Sequence, residues 1–353
     1  LNYKTVTVFK TRRKIMKAKN KKMRLTSTKM ILIYIIIAYC IIVSLRQPAF
    51  FSPATLITLC RAGIFTMCFA LCEMIVIIAG GIDVSFPAIG CVAMYVPMYV
   101  MNRVWKIDNA LFAFVFAMLI GLLFGLFNAV LVSILELPPL IATLATSSIA
   151  AGGVVTLLGT REFTTLPDSL QAIYNFNIIT YTAPSTGFSY PLNVLILVPV
   201  IACILIAYML KKTMLGRGLY AIGGDKNAAR VAGFNVRKLQ FFAYVFAGCF
   251  AGITAMMYTV LMHSATTSAL MGDEMIVIAA CVIGGVRITG GYGDVSGVVI
   301  GVVLITLVQN SLNMMGISTS WQRFVVGLVI LIGTILTSWQ TKRSYEIAKR
   351  EGI

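Results

Sequence analysis

Charged residues are scarce in this sequence. They make up 12% of the 353 residues, whereas a typical soluble domain has about a quarter. Hydrophobic residues account for 59%, so the composition predicts an integral membrane protein. The net charge of +17 does not indicate nucleic acid as a partner, because the basic residues flank the apolar segments and no nucleic-acid-binding motif is present.

Reactive side chains are also few. The single histidine, His263, lies near the end of an apolar segment, where an interfacial residue is expected. Eight cysteines lie in or at the edge of apolar segments and form no CxxC pair, so they are interpreted as small apolar fillers, and no metal site is predicted. No G-x-x-x-x-G-K-[ST] motif is present, which excludes ATP binding by that loop. The sequence therefore does not predict an enzyme.

Long apolar segments dominate the rest of the chain. A membrane core of about 30 Å needs roughly 20 apolar residues per helix. The predicted fold is all-α, a polytopic integral membrane bundle of about ten transmembrane helices, of which the eighth is short. The segments are 30–45, 53–80, 84–101, 110–135, 139–158, 191–210, 239–262, 275–285, 295–313 and 321–339.

The distribution of basic residues predicts the orientation of the bundle. With both termini in the cytoplasm, one side of the membrane receives the tail 1–29, the loop 211–238, the loop at Arg287 and the tail 341–353. These regions carry 23 of the 29 Lys and Arg residues, as the positive-inside rule requires. The predicted domains are the two tails and a transmembrane domain at 30–340, and the longest external loop is 159–190.

The polar segment 211–238 is predicted to be a basic, glycine-punctuated loop that ends in a short helix. Asp225 can cap this helix over residues 226–232, and Gly233 can close it in the left-handed conformation. Such a helix is too short to be stable alone in water. The local pattern leaves two interpretations open, a knob that docks into a soluble partner and an ordinary ordered loop.

Several polar residues fall inside the apolar segments, where they usually face the bundle interior. Glu73 and Asn128 lie at similar depth and could face each other, either as a polar lining or gate or as a contact between helices. Gly121 and Gly125 have the small-xxx-small spacing of close helix packing next to Asn128. Arg61 is expected near the outer interface, where its side chain can snorkel.

A second polar group lies in the ninth segment. Gln309 and Asn313 are four residues apart, and Asn310 is adjacent to Gln309. These amides are predicted in the outer half of the membrane, where they could meet a hydroxyl-rich solute or bond a neighbouring helix. The pattern D-V-S-x-x-x-I-G also occurs twice, from Asp83 and from Asp294, which indicates either a parallel repeat or recurrent helix capping.

Four stretches resemble the permease subunits of bacterial ATP-binding-cassette importers, in the sugar branch of the branched-chain amino acid/sugar permease superfamily. In chain order they are GGIDVS (80–85), GLFNAVLVSILELPPLIATLAT (125–146), GRGLYAIGGDKNAARVAGFNV (216–236) and VIGGVRITGGYGDVSG (282–297). The resemblance covers nearly the whole chain after about residue 50. It implies that the coupling residues are Gly216, Arg217, Tyr220, Gly223, Gly224, Asp225, Asn227, Ala228, Arg230 and Gly233. The pathway or gating candidates are Glu73, Asp83, Phe86, Asn128, Gln309, Asn310 and Asn313.

The resemblance also implies a set of partners in the bacterial cell membrane. Two permease subunits, identical or different, would form a pathway between them, and an external solute-binding protein would deliver the solute. Two ATPase subunits would bind ATP and Mg²⁺, so no cofactor is expected in this chain. The capped helix would fit a groove of the ATPase and move the membrane helices when the ATPase closes on nucleotide.

The sequence departs from the sugar-permease pattern at three places. Glu73, within Cys-Glu-Met, stands where Gly-Met-Thr is usual, Phe86-Pro87 replaces Val-Gly, and Asp225 replaces Asn. The first two changes leave open a solute other than a common pentose, such as a nucleoside, inositol, an autoinducer-type furanoside or a branched-chain amino acid. Two other classes also stay open, an ion-coupled carrier that uses Glu73 as a proton relay and a membrane receptor or scaffold that transports nothing.

Overall fold

A computed structural model of the chain describes residues 28–184 and 187–318, together with 321, 324–328, 331 and 335. Residues 1–27, the tail 341–353 and most of the predicted segment 321–339 lie outside the described residues. The helices, in chain order, are α1 Thr28–Arg46, α2 Pro53–Ile78, α3 Phe86–Tyr99, α4 Ala110–Ala129, α5 Pro139–Leu158, α6 Asp168–Asn175, α7 Leu197–Lys212, α8 Met214–Gly224, α9 Lys226–Val231, α10 Val236–Met262, α11 Glu274–Ile283 and α12 Val295–Met314.

Seven of these helices are long and apolar enough to cross a membrane: α1, α2, α4, α5, α7, α10 and α12. The prediction of a helical polytopic membrane protein is therefore confirmed. Each of the first nine predicted segments contains a helix. Helix α11 has 10 residues, half of the roughly 20 that a straight crossing needs.

The core of the bundle is built around α2 and α10. Both helices are mostly buried, and α10 packs against α2, α3 and α4. By contrast, α1, α4, α5 and α7 present many exposed apolar side chains. These helices therefore form the apolar perimeter that a bilayer can cover.

Glycines allow α4 and α10 to pack backbone to backbone. A Cβ added at Gly121 would lie 2.1 Å from the carbonyl oxygen of Gly248, and one at Gly125 would lie 2.8 Å from that of Tyr244. On α10, a Cβ at Gly252 would lie 2.2 Å from the Ala117 carbonyl oxygen. The predicted close contact at Gly121 and Gly125 is confirmed. The sequence did not predict that its partners would be Gly248 and Gly252 of α10.

Replacing Gly121 with alanine should lower the free energy of unfolding by about 3 kcal/mol, because the methyl group meets backbone atoms that cannot rotate away. Thermal unfolding of the purified protein in detergent measures the change. Gly152→Ala on α5 is the matched control, since nothing lies within 4 Å of the added Cβ. Equal unfolding temperatures for the two variants would contradict this packing.

The loop 159–190 has its own structure. It contains α6 and a hairpin of strands β1 (Asn177–Thr182) and β2 (Ser189–Asn193), which pair antiparallel with Tyr181 opposite Tyr190. Backbone hydrogen bonds join Phe163 to Ala265, and the Tyr95 hydroxyl donates to the Arg161 carbonyl oxygen at 2.9 Å. The loop is thereby fixed to the bundle at the end of α10.

The segment 211–238 is not a loop ending in one helix, as the sequence predicted. Helix α8 occupies Met214–Gly224, with the Thr213 hydroxyl accepting a hydrogen bond from the Gly216 amide at 3.1 Å. Its glycines do not break the helix because packing uses their missing side chains: a Cβ at Gly216 would lie 2.4 Å from the Met209 carbonyl oxygen. Tertiary contact therefore outweighs the low helix propensity of glycine.

Candidate coupling surface and buried polar network

Helix α9 is the short capped helix that the sequence predicted. The Asp225 carboxylate accepts hydrogen bonds from the amides of Asn227 at 2.8 Å and Ala228 at 3.0 Å. Gly233 follows the helix with a φ of +86°, in the left-handed region that favours glycine. Capping and termination are therefore confirmed at both ends.

The side chains of α9 divide sharply between inside and outside. Ala229 is buried and holds the helix to the protein, whereas Asn227 and Arg230 are exposed. Val231 is 90% exposed, the highest value among the large hydrophobic residues of the described part of the chain. Val231 is therefore the apolar side chain of α9 that is accessible to a partner.

A cleft of about 640 Å³ lies beside α9. Its walls include Arg230, Phe234 and Arg237 on one side and Glu136 on the other, and Arg237 pairs with Glu136 at 3.3 Å. Glu136 has a φ of +54°, a conformation that costs a residue with a side chain about 1 kcal/mol or more. We call the cleft and α9 together the coupling surface, after the role that the sequence predicts for them. This surface is polar, basic and exposed.

Four glycines connect α8 to the membrane helices at what we call the glycine junction: Gly80, Gly223, Gly290 and Gly291. A Cβ at Gly223 would lie 1.9 Å from the carbonyl oxygen of Ile78, at the end of α2, and 2.5 Å from the amide nitrogen of Gly291. The Gly291 amide itself donates to the Ile78 carbonyl oxygen at 3.0 Å. The end of α8 is thus held between the two loops that precede α3 and α12.

Side chains reinforce the same region. The Tyr220 hydroxyl donates to the Gly293 carbonyl oxygen at 2.7 Å, and Lys29 pairs with Asp294 at 2.5 Å. Burial alone would raise the pKa of Asp294, but hydrogen bonds from Lys29 and Ser296 lower it below its ordinary value. Lys29, the segment 211–238 and the loop at Arg287 therefore meet on one face, as the charge distribution predicted.

A buried polar network begins where α2 ends. Glu73 accepts a hydrogen bond from the Asp83 amide at 3.2 Å, and Asp83 accepts two from Ser85, at 2.7 Å from its amide and 2.5 Å from its hydroxyl. The Ser85 hydroxyl accepts from the Asn128 amide group at 2.8 Å, and Asn128 accepts from the Thr146 hydroxyl at 2.6 Å. All five side chains are at most 1% exposed.

The network joins helices that are far apart in the sequence. It links α2, the loop before α3, α4 and α5, and Thr143 on α5 adds a further contact by accepting from the Val84 amide at 3.3 Å. Glu73 and Asn128, which the sequence placed at one depth, belong to the same network but do not touch directly. Ser85, Thr143 and Thr146 are the members that sequence reasoning missed.

Two atoms at the centre of this region lack hydrogen-bond partners among the described residues: Glu73 Oε2 and the Tyr244 hydroxyl. A Cβ at Gly81 would lie 2.3 Å from that hydroxyl, so Tyr244 on α10 closes over the loop that carries Asp83. Neither Glu73 nor Asp83 forms an ion pair in the described part of the chain. Both atoms lie where α2, α10 and the loop that carries Asp83 meet.

The other predicted pathway residues lie elsewhere. Phe86 is buried and packs on Phe69 with the ring centroids 5.0 Å apart, directly after the network loop. Gln309 is half-buried and Asn313 exposed on α12, and Asn310 donates to the Thr306 carbonyl oxygen of its own helix at 3.0 Å. At about 1.5 Å per residue, Gln309 lies roughly 22 Å along α12 from Asp294, in a separate layer of the bundle.

Several known proteins are similar to this chain in sequence. Residues 55–334 match the family described as branched-chain amino acid transport system / permease component. A ribose import permease protein of Bacillus subtilis is 31% identical over 84% of this chain and 88% of its own length. An autoinducer 2 import system permease protein of Yersinia pestis is 29% identical over 76% of this chain and 75% of its own length. No solved structure matches the chain.

Proposed function

Because the chain belongs to the family of permease components of branched-chain amino acid transport systems, we propose that it is the membrane subunit of an ATP-binding-cassette importer for a sugar or sugar-like solute. The observation that carries the proposal is that the exposed helix α9 directly follows α8, whose last turn touches the loop that leads into the buried network. It is a multi-pass protein of the bacterial inner membrane. As a transport component, it is not itself an enzyme.

In this proposal the energy comes from a separate ATPase subunit that binds ATP and Mg²⁺. Its groove receives α9, with Val231 as the apolar contact, and its acidic residues meet Arg230 and Arg237 of the cleft. A second permease subunit completes the pathway, and an external solute-binding protein delivers the solute. The absence of a phosphate-binding loop from this chain agrees with that division of labour.

The proposed route of coupling runs through the glycine junction. A displacement of α9 moves α8, and Gly223 at the end of α8 touches backbone of both loops that flank it. One of these loops carries Asp83 and Ser85, so the network between α2, α4 and α5 moves with it. Breaking and remaking these hydrogen bonds is the proposed change between inward-open and outward-open states.

The solute is proposed to be polyhydroxylated, because relatives carry names for ribose, fructose and autoinducer 2 import. A screen of the cognate binding protein by thermal shift, with pentoses, hexoses and furanosides, would identify the class. Stabilisation by a branched-chain amino acid and by no sugar would contradict the sugar assignment.

Reconstitution with the cognate ATPase tests the whole proposal. Proteoliposomes with both subunits and the binding protein should hydrolyse ATP faster when solute is added, and deletion of residues 225–233 should remove that stimulation. ATP-independent solute uptake driven by a proton gradient would show an ion-coupled carrier instead.

Val231→Asp should weaken binding of the ATPase about tenfold or more, because a charge would enter an apolar contact while the isolated permease loses almost no packing. Pull-down of the ATPase and thermal unfolding of the permease give the two measurements. Ile179→Asp is the matched control, since Ile179 is 56% exposed on the β hairpin, away from α9. Equal ATPase binding by both variants would contradict docking at α9.

A further inference from the structure

A small cavity at the end of the bundle opposite α9 is independent of the proposed coupling. Its volume is about 220 Å³, and it lies between the first turns of α2, the last turn of α10 and strand β2. The cavity is lined by hydroxyl-bearing residues, apolar residues and one cation, Arg61. The lining residues are Ile57, Thr58, Arg61, Ala62, Ser189, Tyr190, Pro191, Leu261 and Met262.

The Arg61 guanidinium has more hydrogen-bond donors than the described residues around it accept. A guanidinium carries five N–H donors, and the hydrogen bond found in the described residues runs from Nη2 to the Leu261 carbonyl oxygen at a long 3.5 Å. Arg61 is half-buried and forms no ion pair with any described residue. A cation at the edge of a hydrocarbon layer is stabilised when an anion or water satisfies it, so the cavity beside Arg61 is suited to an anionic group.

The depth of Arg61 fixes what kind of anion can reach it. Leu261 is the residue before the end of α10, and the Arg61 guanidinium reaches its carbonyl oxygen, so the cationic group lies at that end of the bundle, where lipid headgroups are expected. Helix α7 starts after β2, packs against α2 and exposes Leu197 and Ile201. An apolar helix surface thus continues from a cationic cavity.

We propose that this cavity binds the phosphate headgroup of an anionic phospholipid. The phosphate pairs with the Arg61 guanidinium and accepts from the Ser189 hydroxyl, which can itself accept from the Thr182 hydroxyl at 3.1 Å. The acyl chains lie along α7. Arginine suits this ligand because its planar fork donates two parallel hydrogen bonds to phosphate oxygens. The bound lipid fixes the β hairpin to the first turns of α2, because Ser189 and Tyr190 of β2 line the same cavity.

Native mass spectrometry of the full chain in detergent tests the site. Wild type should retain phosphatidylglycerol more strongly than phosphatidylcholine, and Arg61→Gln should reduce the retained phosphatidylglycerol about tenfold, the loss typical of one charge-assisted hydrogen-bonded pair. Arg46→Gln is the matched control, because Arg46 is exposed at the end of α1 and does not line the cavity. Arg61→Lys, which keeps the charge, should retain an intermediate amount.

Three outcomes would overturn the proposal. Equal retention of the two lipids by wild type would show that no headgroup charge is recognised. Unchanged retention in Arg61→Gln, with thermal unfolding like that of wild type, would place the lipid elsewhere. Displacement of phosphatidylglycerol by millimolar inorganic phosphate would show a site for a free anion and not for a lipid.

Discussion

Replacing Gly223 with alanine should abolish solute-stimulated ATP hydrolysis while leaving the ATPase bound. The added Cβ would lie 1.9 Å from the Ile78 carbonyl oxygen and 2.5 Å from the Gly291 amide nitrogen, so the end of α8 must move away from both loops. Backbone atoms cannot rotate aside as a side chain can, and overpacking of this kind costs about 1–3 kcal/mol or more. The coupling surface itself is unaffected, because α9 lies beyond Asp225.

Reconstituted proteoliposomes give the stimulated ATPase rate, and pull-down gives ATPase binding, which should stay within about twofold of wild type. Gly153→Ala on α5 is the matched control, since nothing lies within 4 Å of its added Cβ and Gly153 is not among the predicted coupling residues. Normal stimulation in Gly223→Ala, or equal loss in both variants, would contradict transmission through the glycine junction.

Replacing Glu73 with glutamine should change solute uptake by about tenfold or more with little change in stability. Glutamine keeps the oxygen that accepts from the Asp83 amide and places an NH₂ group at the position of Oε2, which has no partner among the described residues. The substitution therefore removes the ability to carry charge and retains the hydrogen bond of the present state. The substitution should therefore impair the rearrangement of the network during transport and leave its structure in the present state intact.

Glu73→Ala separates the structural role from the functional one. It leaves the buried Asp83 amide without its acceptor and should lower the free energy of unfolding by about 1–3 kcal/mol. Uptake assays, thermal unfolding and ATPase pull-down are compared for both variants. If the glutamine variant lost stability and ATPase binding as fully as it lost uptake, Glu73 would be a structural residue.

The cap of α9 was predictable from the sequence because its physics is local. Asp225 bonds amides two and three residues away, and Gly233 takes a backbone conformation that few other residues tolerate. Helix α8 was missed for the opposite reason. Its glycines have low helix propensity, and what stabilises the helix is contact with Ile78 and Gly291, which are distant in the sequence.

The buried network shows the same limit. Glu73 and Asn128 attract attention in an apolar segment, because a charged or amide group there is costly. Thr143 and Thr146 do not, since hydroxyl residues in membrane helices commonly bond the preceding turn of their own helix, as both also do here. Ser85 lies in a loop, where serine is common. The internal repeat was visible, and both copies do place Asp beside Ser, yet Asp83 is buried and Asp294 pairs with Lys29.

The glycine junction consists of main-chain atoms on both sides. It is therefore suited to pass on a displacement of α8, but it has no side chain that could recognise a solute. If the proposed coupling holds, substitutions around Glu73 and Phe86 should change which solute is transported without altering how the ATPase moves the membrane helices. By the same proposal, substitutions in α9 should change which ATPase binds without altering the buried network. Solute recognition and ATPase binding could then change independently in evolution. Chimeras that exchange residues 225–233 between permeases should bind the ATPase of the donor permease and keep their own solute.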